Sequence, residues 1–399
     1  MLRLKRLNHV VNKNSILRLL FLTFILIIFC SGCSNEQQSS TKKEVETKGS
    51  DGNNIPIKIG LLAPLTGDVA TYGQAIKKGV TLALDEYNSK NPTRNIEVVA
   101  EDSQANPRIA VGAIQKLIQV DKVVAIIGAV ASSVTLSVAP IAEKNHIVLL
   151  SPASSSPKIT TAGDYIFRNY PSDNLEGKAA AKFAINKSWM KASVLVINND
   201  YGTGLKMVFE NQFKAMGGTI ASSDLFNEGT NDFRATLLRI KSLKPDVLFI
   251  VGYGRELGTI ARQGRENGVL AKILSTVNFQ DPQTIETGGD AVNGAIYSSP
   301  IFDPNSKDAA ISDFVKNFNQ RFNEIPDVWA AHGYDAFMLI AESCFSTTCN
   351  SDSIKEKLYE TTNWPGVSGT TTFDRNGDVE KPVRFMTVLD GKFVPFKLD

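Results

Sequence analysis

Two serines follow an apolar run that has the character of a buried strand. The run ends at Gly128, and the letters VASS then place Ser132 and Ser133 at the start of a helix-like segment. A serine in that place commonly does no more than cap the helix, because its hydroxyl satisfies a free backbone N–H of the first turn. The same free N–H groups and the helix dipole also form a site for an anion. The surroundings of the two serines must decide between a cap and an anion site.

A second hydroxyl cluster, Ser151 to Ser156, ends the next predicted strand. In open parallel sheets, ligands bind outside the carboxyl ends of the strands. The two clusters are therefore expected at one margin of one sheet, where they favour a cradle for a carboxylate over two separate caps. Three further strand ends carry a tyrosine, which predicts an aromatic wall around a small ligand: Tyr72, Tyr201 and Tyr253.

Catalytic patterns are weak in this chain. After removal of a leader only His146 and His332 remain, and the serine clusters have no evident general base nearby. The sequence contains no G-x-S-x-G elbow, no H-E-x-x-H, no Walker loop and no G-x-G-x-x-G. We therefore predict a binding protein that needs no cofactor.

The elements that must position these residues alternate between strand-like and helix-like segments. Near-continuous apolar runs, such as 123–128 and 147–151, are typical of strands buried on both faces of a parallel sheet. The alternation begins near Ile55 and restarts after Arg168, so we predict the α/β class with two doubly wound lobes. Asn-Gly and Asp-Gly pairs near the end predict hairpin strands.

The N-terminus predicts an export signal. A basic segment precedes an uncharged apolar run at 19–30, which is too short to span a bilayer as a helix. The run ends in SGC, which looks like a bacterial lipobox with Cys33 as the lipidated residue, although Cys30 stands where a leucine is usual. The alternative is an ordinary signal peptide with incidental cysteines. The polar segment that follows predicts a disordered tether.

The mature chain would have 367 residues, which exceeds what one hydrophobic core usually supports. Loss of five Lys and Arg with the leader leaves 38 basic and 41 acidic residues, a net charge of −3, and no basic patch argues for nucleic acid. Cys344 and Cys349 predict a short-loop disulfide in an exported chain, with two free thiols as the alternative. Their spacing is not a zinc pattern, so we expect no metal.

Several of these segments together resemble one family. The strand ends IIGAVASS and LLSPASSSP, the turn NNDYGTG and the segment VGYGRELGTIARQGRENG are similar to those of the branched-chain amino-acid binding proteins. These are type I periplasmic substrate-binding proteins of ABC importers. The resemblance runs from about Ile55 to about Lys392. Each motif alone has low specificity, but the order and spacing of the motifs together are specific.

The resemblance implies two Rossmann-like lobes joined by a three-segment hinge that closes on a ligand. It also implies a monomer on the extracytoplasmic (periplasmic) side of a membrane, with an ABC permease in the inner membrane as its partner. The SGC ending of the apolar run adds the expectation of a lipid anchor at Cys33. The expected organisation is a signal peptide at 1–32, a tether at 33–54, a first lobe at 55–168 and 299–366, and a second lobe at 169–298 and 367–399.

The family pattern assigns roles to individual residues. Ser132 matches the serine that binds the ligand carboxylate, and Val130 matches a carbonyl that contacts the ammonium. Ala153 and Ser155 match an edge that completes both contacts. The tyrosines match aromatic wall residues. The full set of predicted ligand-binding residues is Tyr72, Val130, Ala131, Ser132, Ala153, Ser154, Ser155, Tyr201, Tyr253 and Asn278.

This chain departs from the family at one position. The amino-acid binders place a glutamate from the second lobe on the ligand ammonium, and Val277 or Asn278 stands at that place here. A buried ammonium without a carboxylate partner is unfavourable. Asp281 is one substitute, backbone carbonyls are another, and a ligand without an ammonium is the third alternative.

The predicted function is capture of a branched-chain or other apolar amino acid for an ABC importer, without catalysis. A binder of a non-amino-acid carboxylate or of an amide is the alternative that the missing glutamate suggests. A ligand-sensing subunit of a signalling receptor is a further alternative, because it would bind its ligand in the same way. A hydrolase is disfavoured by the lack of a histidine near the serines.

Overall fold

The structure is a computed structural model, and it describes residues 56–346 and 348–397. The predicted signal peptide, the tether and Cys33 lie outside the described residues. None of the helices within the described ranges is long and apolar enough to cross a membrane.

The first lobe is built on a five-stranded parallel sheet in the order β2–β1–β3–β4–β5. Its central strands β3 and β4 are buried at every position, because helices cover both faces of the sheet. The strands are β1 Ile57–Ala63, β2 Ile96–Asp102, β3 Ala125–Gly128, β4 Val148–Ser151 and β5 Ile166–Arg168. The helices between them are α1 Ala70–Lys90, α2 Pro107–Lys116 and α3 Ser132–Lys144, with short helical turns at Leu117–Asp121 and Pro157–Thr161.

The second lobe is built on a seven-stranded sheet in the order β12–β11–β10–β9–β8–β6–β7. Its strands are β6 Lys191–Ile197, β7 Thr219–Phe226, β8 Val247–Val251, β9 Lys272–Ser275, β10 Ile296–Pro300, β11 Val383–Leu389 and β12 Lys392–Pro395. Its helices are α4 Asp173–Asn186, α5 Asp200–Ala215, α6 Arg234–Leu243, α7 Gly254–Glu266 and α8 Pro282–Gly288, with short turns at Val277–Gln280 and Gly289–Val292. The prediction of two doubly wound α/β lobes is confirmed.

The last two strands form the hairpin that the sequence predicted. β11 pairs antiparallel with both β10 and β12, whereas the other neighbours in this sheet are parallel. The hairpin turn is Asp390–Gly391, and both residues have positive φ, 48° and 67°. Two successive positive φ values are what a tight type I′ turn requires, and an Asp-Gly pair adopts them readily.

Three further helices pack on the first lobe: α9 Ala309–Phe322, α10 Val328–Phe345 and α11 Ser351–Glu360. Helices α1 and α10 approach closely because glycines stand at their contact. A Cβ atom at Gly79 would lie 2.0 Å from the carbonyl oxygen of Ala330, so only glycine allows this spacing. The contact brings Tyr72, near the start of α1, to 5.4 Å from Trp329, near the start of α10, measured between ring centroids.

The chain passes between the lobes at 169–172, at 301–308 and again near 380. The third crossing is later than the predicted boundary between 366 and 367. Residues beyond 367 still pack on β5 of the first lobe: the Phe167 and Phe373 rings lie 5.5 Å apart, and the backbone N–H of Arg168 donates to Gly377 at 3.0 Å. The sequence pattern missed this because 367–379 forms only isolated bridges and no regular strand.

Cys344 and Cys349 are joined by a disulfide, with Cα atoms 4.1 Å apart. The bond links the end of α10 to the segment before α11. It lies on the first lobe, away from the residues at the carboxyl ends of the strands.

Candidate functional site

A buried cavity lies between the two lobes, at the carboxyl ends of their strands. The volume of the cavity, measured as the space open to the centre of a water molecule, is about 40 Å³. A cavity of this size suits a small ligand and not a peptide. Nine of the ten predicted ligand-binding residues line the cavity: Tyr72, Val130, Ala131, Ser132, Ala153, Ser155, Tyr201, Tyr253 and Asn278. The other lining residues are Pro64, Val69, Tyr170, Glu176, Val277 and Trp329.

Ser132 is placed differently from a simple cap. Ala131 is the N-cap of α3 and makes no side-chain cap hydrogen bond. The Ser132 hydroxyl oxygen instead accepts hydrogen bonds from the backbone N–H groups of Ser155 and Ser156, both at 3.2 Å. A hydroxyl has two acceptor lone pairs and one proton, so the proton of Ser132 remains for an acceptor in the cavity. The free N–H groups of the first turn of α3 face the same region, which suits an anion.

Ser154 is the predicted ligand-binding residue that does not line the cavity. Its hydroxyl lies 2.7 Å from that of Thr135 and donates to the carbonyl oxygen of Val130 at 2.9 Å. The Ser151 hydroxyl accepts from the backbone N–H of Ser154 at 2.9 Å and donates to the Ala129 carbonyl at 2.6 Å. These contacts tie the ends of β3 and β4 together, so Ser154 positions the carbonyl of Val130.

Arg168 holds the loop that follows β4. Its guanidinium is fully buried and forms two hydrogen bonds to the carboxylate of Asp378, at 2.7 and 2.6 Å. Its third nitrogen donates to the carbonyl oxygens of Ser155 and Ser156, at 3.0 and 2.9 Å. The same two residues bind the Ser132 hydroxyl through their N–H groups. The position of the loop that holds the Ser132 hydroxyl therefore depends on a residue that does not line the cavity.

Aromatic rings form the wall that the sequence predicted, and two unpredicted rings extend it. The rings of Tyr201 and Tyr253, both from the second lobe, stack with their centroids 6.3 Å apart. Tyr72 faces them from the first lobe. Trp329 and Tyr170 stack on each other at 5.3 Å on the first-lobe side. Asp327 caps the start of α10, but this local signal does not indicate that Trp329 reaches the cavity.

The tyrosine hydroxyls stay neutral and act as hydrogen-bonding groups. Burial raises the pKa of Tyr72 and of Tyr201 well above the ordinary value of a phenol. The Tyr201 hydroxyl lies 2.6 Å from that of Thr276. The Tyr72 oxygen accepts from the backbone N–H of Gly254 at 3.3 Å, across the cleft. These phenols therefore hold the wall in place and bring no charge to it.

Glu176, on α4, was not predicted, and it lines the cavity from the second lobe. Its side chain is buried, and the Ser298 hydroxyl donates to its Oε1 at 2.7 Å. Burial raises the pKa of Glu176 to about 7, against the opposing effects of Ser298 and of the backbone N–H of Val277. The sequence pattern around Glu176 is that of an ordinary helix, so no periodicity singled it out.

Asp281, one of the predicted substitutes for the family glutamate, is engaged elsewhere. Its carboxylate caps α8 through the backbone N–H of Gln283 at 2.8 Å and accepts from the Thr71 hydroxyl at 2.8 Å. It does not line the cavity, whereas Val277 and Asn278 both do. The acid nearest to the ligand space is therefore Glu176.

Neither of the two histidines within the described residues lines the cavity. His146 is exposed, and the His332 ring is buried with its Nδ1 2.8 Å from the carbonyl of Val328. Within residues 56–346 and 348–397 no hydrogen bond joins either histidine to Ser132 or Ser155, and no group of three or more His, Cys, Asp or Glu could hold a metal ion.

Two doubly wound lobes with a polar strand-end site facing an aromatic wall define a type I periplasmic binding protein. The chain belongs to the periplasmic binding protein family, whose model matches residues 56–392. It is 30% identical to the Leu/Ile/Val-binding protein BraC3 of Rhizobium johnstonii, over 81% of this chain and 89% of the relative. It is 27% identical to the leucine-, isoleucine-, valine-, threonine- and alanine-binding protein of Pseudomonas aeruginosa, over 81% and 87%.

Comparison with solved structures supports the same family assignment. The leucine-binding protein LivK of Thermotoga maritima superposes with a TM-score of 0.81 at 31% identity, covering 86% of this chain and 98% of that one. The branched-chain amino-acid binding protein LivJ of Streptococcus pneumoniae, in complex with isoleucine, superposes with a TM-score of 0.79 at 28% identity, over 85% and 97%. The predicted family and fold class are thereby confirmed.

Proposed function

We propose that this chain is the substrate-binding protein of an ABC importer and captures a branched-chain or other apolar amino acid. The observation that carries the proposal is one cavity with two unlike ends. The start of α3 and the Ser132 hydroxyl suit a carboxylate, and the rings of Tyr72, Tyr253 and Trp329 suit an apolar side chain. The names of the relatives, which bind leucine, isoleucine and valine, support the same ligand class.

Binding would proceed by closure of the two lobes on the ligand. The carboxylate site belongs to the first lobe, while Tyr201 and Tyr253 belong to the second. Direct contacts already cross the cleft, including Thr71 to Asp281 at 2.8 Å and Lys158 to Asp200 at 2.7 Å. A ligand that touches both lobes binds the closed state better than the open state and so shifts the equilibrium between them. No chemical step is needed, and we propose no catalytic activity.

A thermal-shift screen across amino acids, carboxylates and amides tests the ligand class. An amino acid such as leucine or isoleucine, at about 100 times its Kd, should add roughly 2.7 kcal/mol to the free energy of unfolding. Lysine and glutamate are matched controls, because their charged side chains would be buried against the aromatic wall. Stabilisation by amides or by other carboxylates, with none by apolar amino acids, would contradict the proposed ligand class.

The remaining parts of the proposal concern location and partners. We propose an exported monomer, anchored on the extracytoplasmic side by a lipid on Cys33, that delivers its ligand to an inner-membrane permease. Cys33→Ala should move the protein from the membrane fraction to the soluble fraction, because the lipid acceptor is lost. Cys30→Ala, three residues earlier, is the control and should leave the protein in the membrane fraction. A Cys33→Ala protein that stays with membranes would remove the lipoprotein assignment.

A further inference from the structure

Glu176 is a buried carboxyl group for which the described part of the chain provides no cation. No lysine, arginine or histidine of the described residues forms an ion pair with it. Arg168, the buried cation of this region, is already committed to Asp378. Placing an acid in a low-dielectric site without a partner is unfavourable for folding. Glu176 lines the cavity, so a positive group of a bound ligand could reach it from there.

Glu176 lies close to Val277, a position where the family has a glutamate and this chain does not. The family resemblance puts an ammonium-binding glutamate at Val277 or Asn278, where this chain has no acid. The backbone N–H of Val277 is close enough to Glu176 to lower its pKa, and both residues line the cavity. In this chain the carboxylate at that part of the cavity therefore comes from α4, whereas the family glutamate comes from the loop after β9.

We infer that Glu176 binds the ammonium group of the ligand and makes the site selective for zwitterions over simple carboxylates. The inference rests on the proposed function, because it takes the carboxylate of the same ligand to lie at Ser132. The carbonyl of Val130, which also lines the cavity, offers the ammonium a second acceptor. The carboxylate contact at Ser132 and the ammonium contact at Glu176 then fix the orientation of the ligand, and its side chain faces the aromatic wall.

Other titratable groups face Glu176 and have to be considered with it. Asp173 lies one turn earlier on α4, and burial followed by the proximity of Glu176 raises its pKa well above the ordinary range. Asp173 is buried, and it does not line the cavity. Tyr170 and Tyr201 are neutral for the reason given above, since burial raises the pKa of each. Glu176 is thus the carboxyl group of this cluster that lines the cavity.

The decisive experiment compares leucine with 4-methylpentanoate, which is leucine without its amino group, by calorimetry on the full mature chain. The wild-type protein should prefer leucine. Glu176→Gln keeps the size of the side chain and removes its charge, so leucine should bind roughly 10- to 100-fold more weakly while 4-methylpentanoate binds as well or better. Glu256→Gln, a buried glutamate of the same lobe outside the cavity, is the matched control and should change neither affinity.

The pH dependence supplies a readout that a structural role would not move. Ionised Glu176 attracts an ammonium and protonated Glu176 does not, and burial in the cleft raises the pKa of Glu176 to about 7. Leucine affinity should therefore rise roughly tenfold per pH unit below 7 and level off above it. In Glu176→Gln this rise should be absent. Asp173→Asn should keep it, because Asp173 does not contact the ligand space.

The outcomes separate this inference from the proposed function. Equal binding of leucine and 4-methylpentanoate by the wild type, unchanged by Glu176→Gln, would overturn the role of Glu176 and leave the carboxylate site standing. If neither compound binds and an unrelated ligand stabilises the protein in the thermal-shift screen, the proposed function is overturned. The inference about Glu176 is then overturned with it. A leucine-specific loss in Glu176→Gln, with a melting temperature no lower than that of the wild type, would establish the inference.

Discussion

Replacing Arg168 by methionine should lower the free energy of unfolding by about 3–5 kcal/mol. Methionine retains the unbranched stem of the buried side chain but removes the guanidinium. The carboxylate of Asp378, which is 14% exposed, would then lack its cation, and the carbonyls of Ser155 and Ser156 would lose their donor. Removing one partner of a buried ion pair destabilises the fold, because the other charge is left without a partner in the low-dielectric interior.

Urea unfolding at neutral pH measures this effect. Arg321→Met is the matched control, since Arg321 also pairs with an aspartate, Asp85, but at the surface where both side chains are about half exposed. A surface pair contributes roughly 0–1 kcal/mol, so the control should be nearly neutral. Equal effects of the two substitutions would mean that the Arg168 network does not stabilise the fold.

The consequence for binding separates Arg168 from an ordinary core residue. Its loss frees the loop whose backbone N–H groups hold the Ser132 hydroxyl. Affinity for leucine should fall in the Arg168→Met protein even at temperatures where that protein is fully folded. An unchanged affinity would show that the loop keeps its shape without the guanidinium.

The strand-end residues could be predicted because one rule of parallel sheets places them. β1, β3 and β4 run parallel, so their carboxyl ends lie at one margin, and any polar side chain just beyond them is brought to the same region. Ser132 and Tyr72 were found in this way from short apolar runs alone. The second lobe repeated the argument for Tyr201 and Tyr253.

Glu176, Trp329 and Arg168 could not be predicted, for different physical reasons. Glu176 lies in the first turn of α4, where an acid is common because it faces the positive end of the helix dipole. Trp329 reaches the cavity only because the glycine contact of α1 and α10 brings two distant helices together. The role of Arg168 depends on Asp378, which is 210 residues away along the chain. Local patterns carry no information about such long-range neighbours.

The hydroxyl of Ser132 is expected to provide the largest single contact of the carboxylate site. A hydrogen bond to a charged acceptor contributes about 1.5–3 kcal/mol, so Ser132→Ala should weaken leucine binding by roughly 10- to 100-fold. The same substitution removes the acceptor of two backbone N–H groups, those of Ser155 and Ser156, and should also lower the stability of the fold by about 1–3 kcal/mol. Affinity must therefore be measured well below the melting temperature of the variant.

Ser133→Ala supplies the comparison that isolates the binding contribution. Ser133 occupies the next position of the same helix start but does not line the cavity. It should leave the affinity for leucine unchanged, although both substitutions delete a hydroxyl from the first turn of α3. If calorimetry gives the same Kd for the wild type and for Ser132→Ala, the hydroxyl only joins two strand ends. The carboxylate would then be held by the backbone N–H groups of the helix start alone.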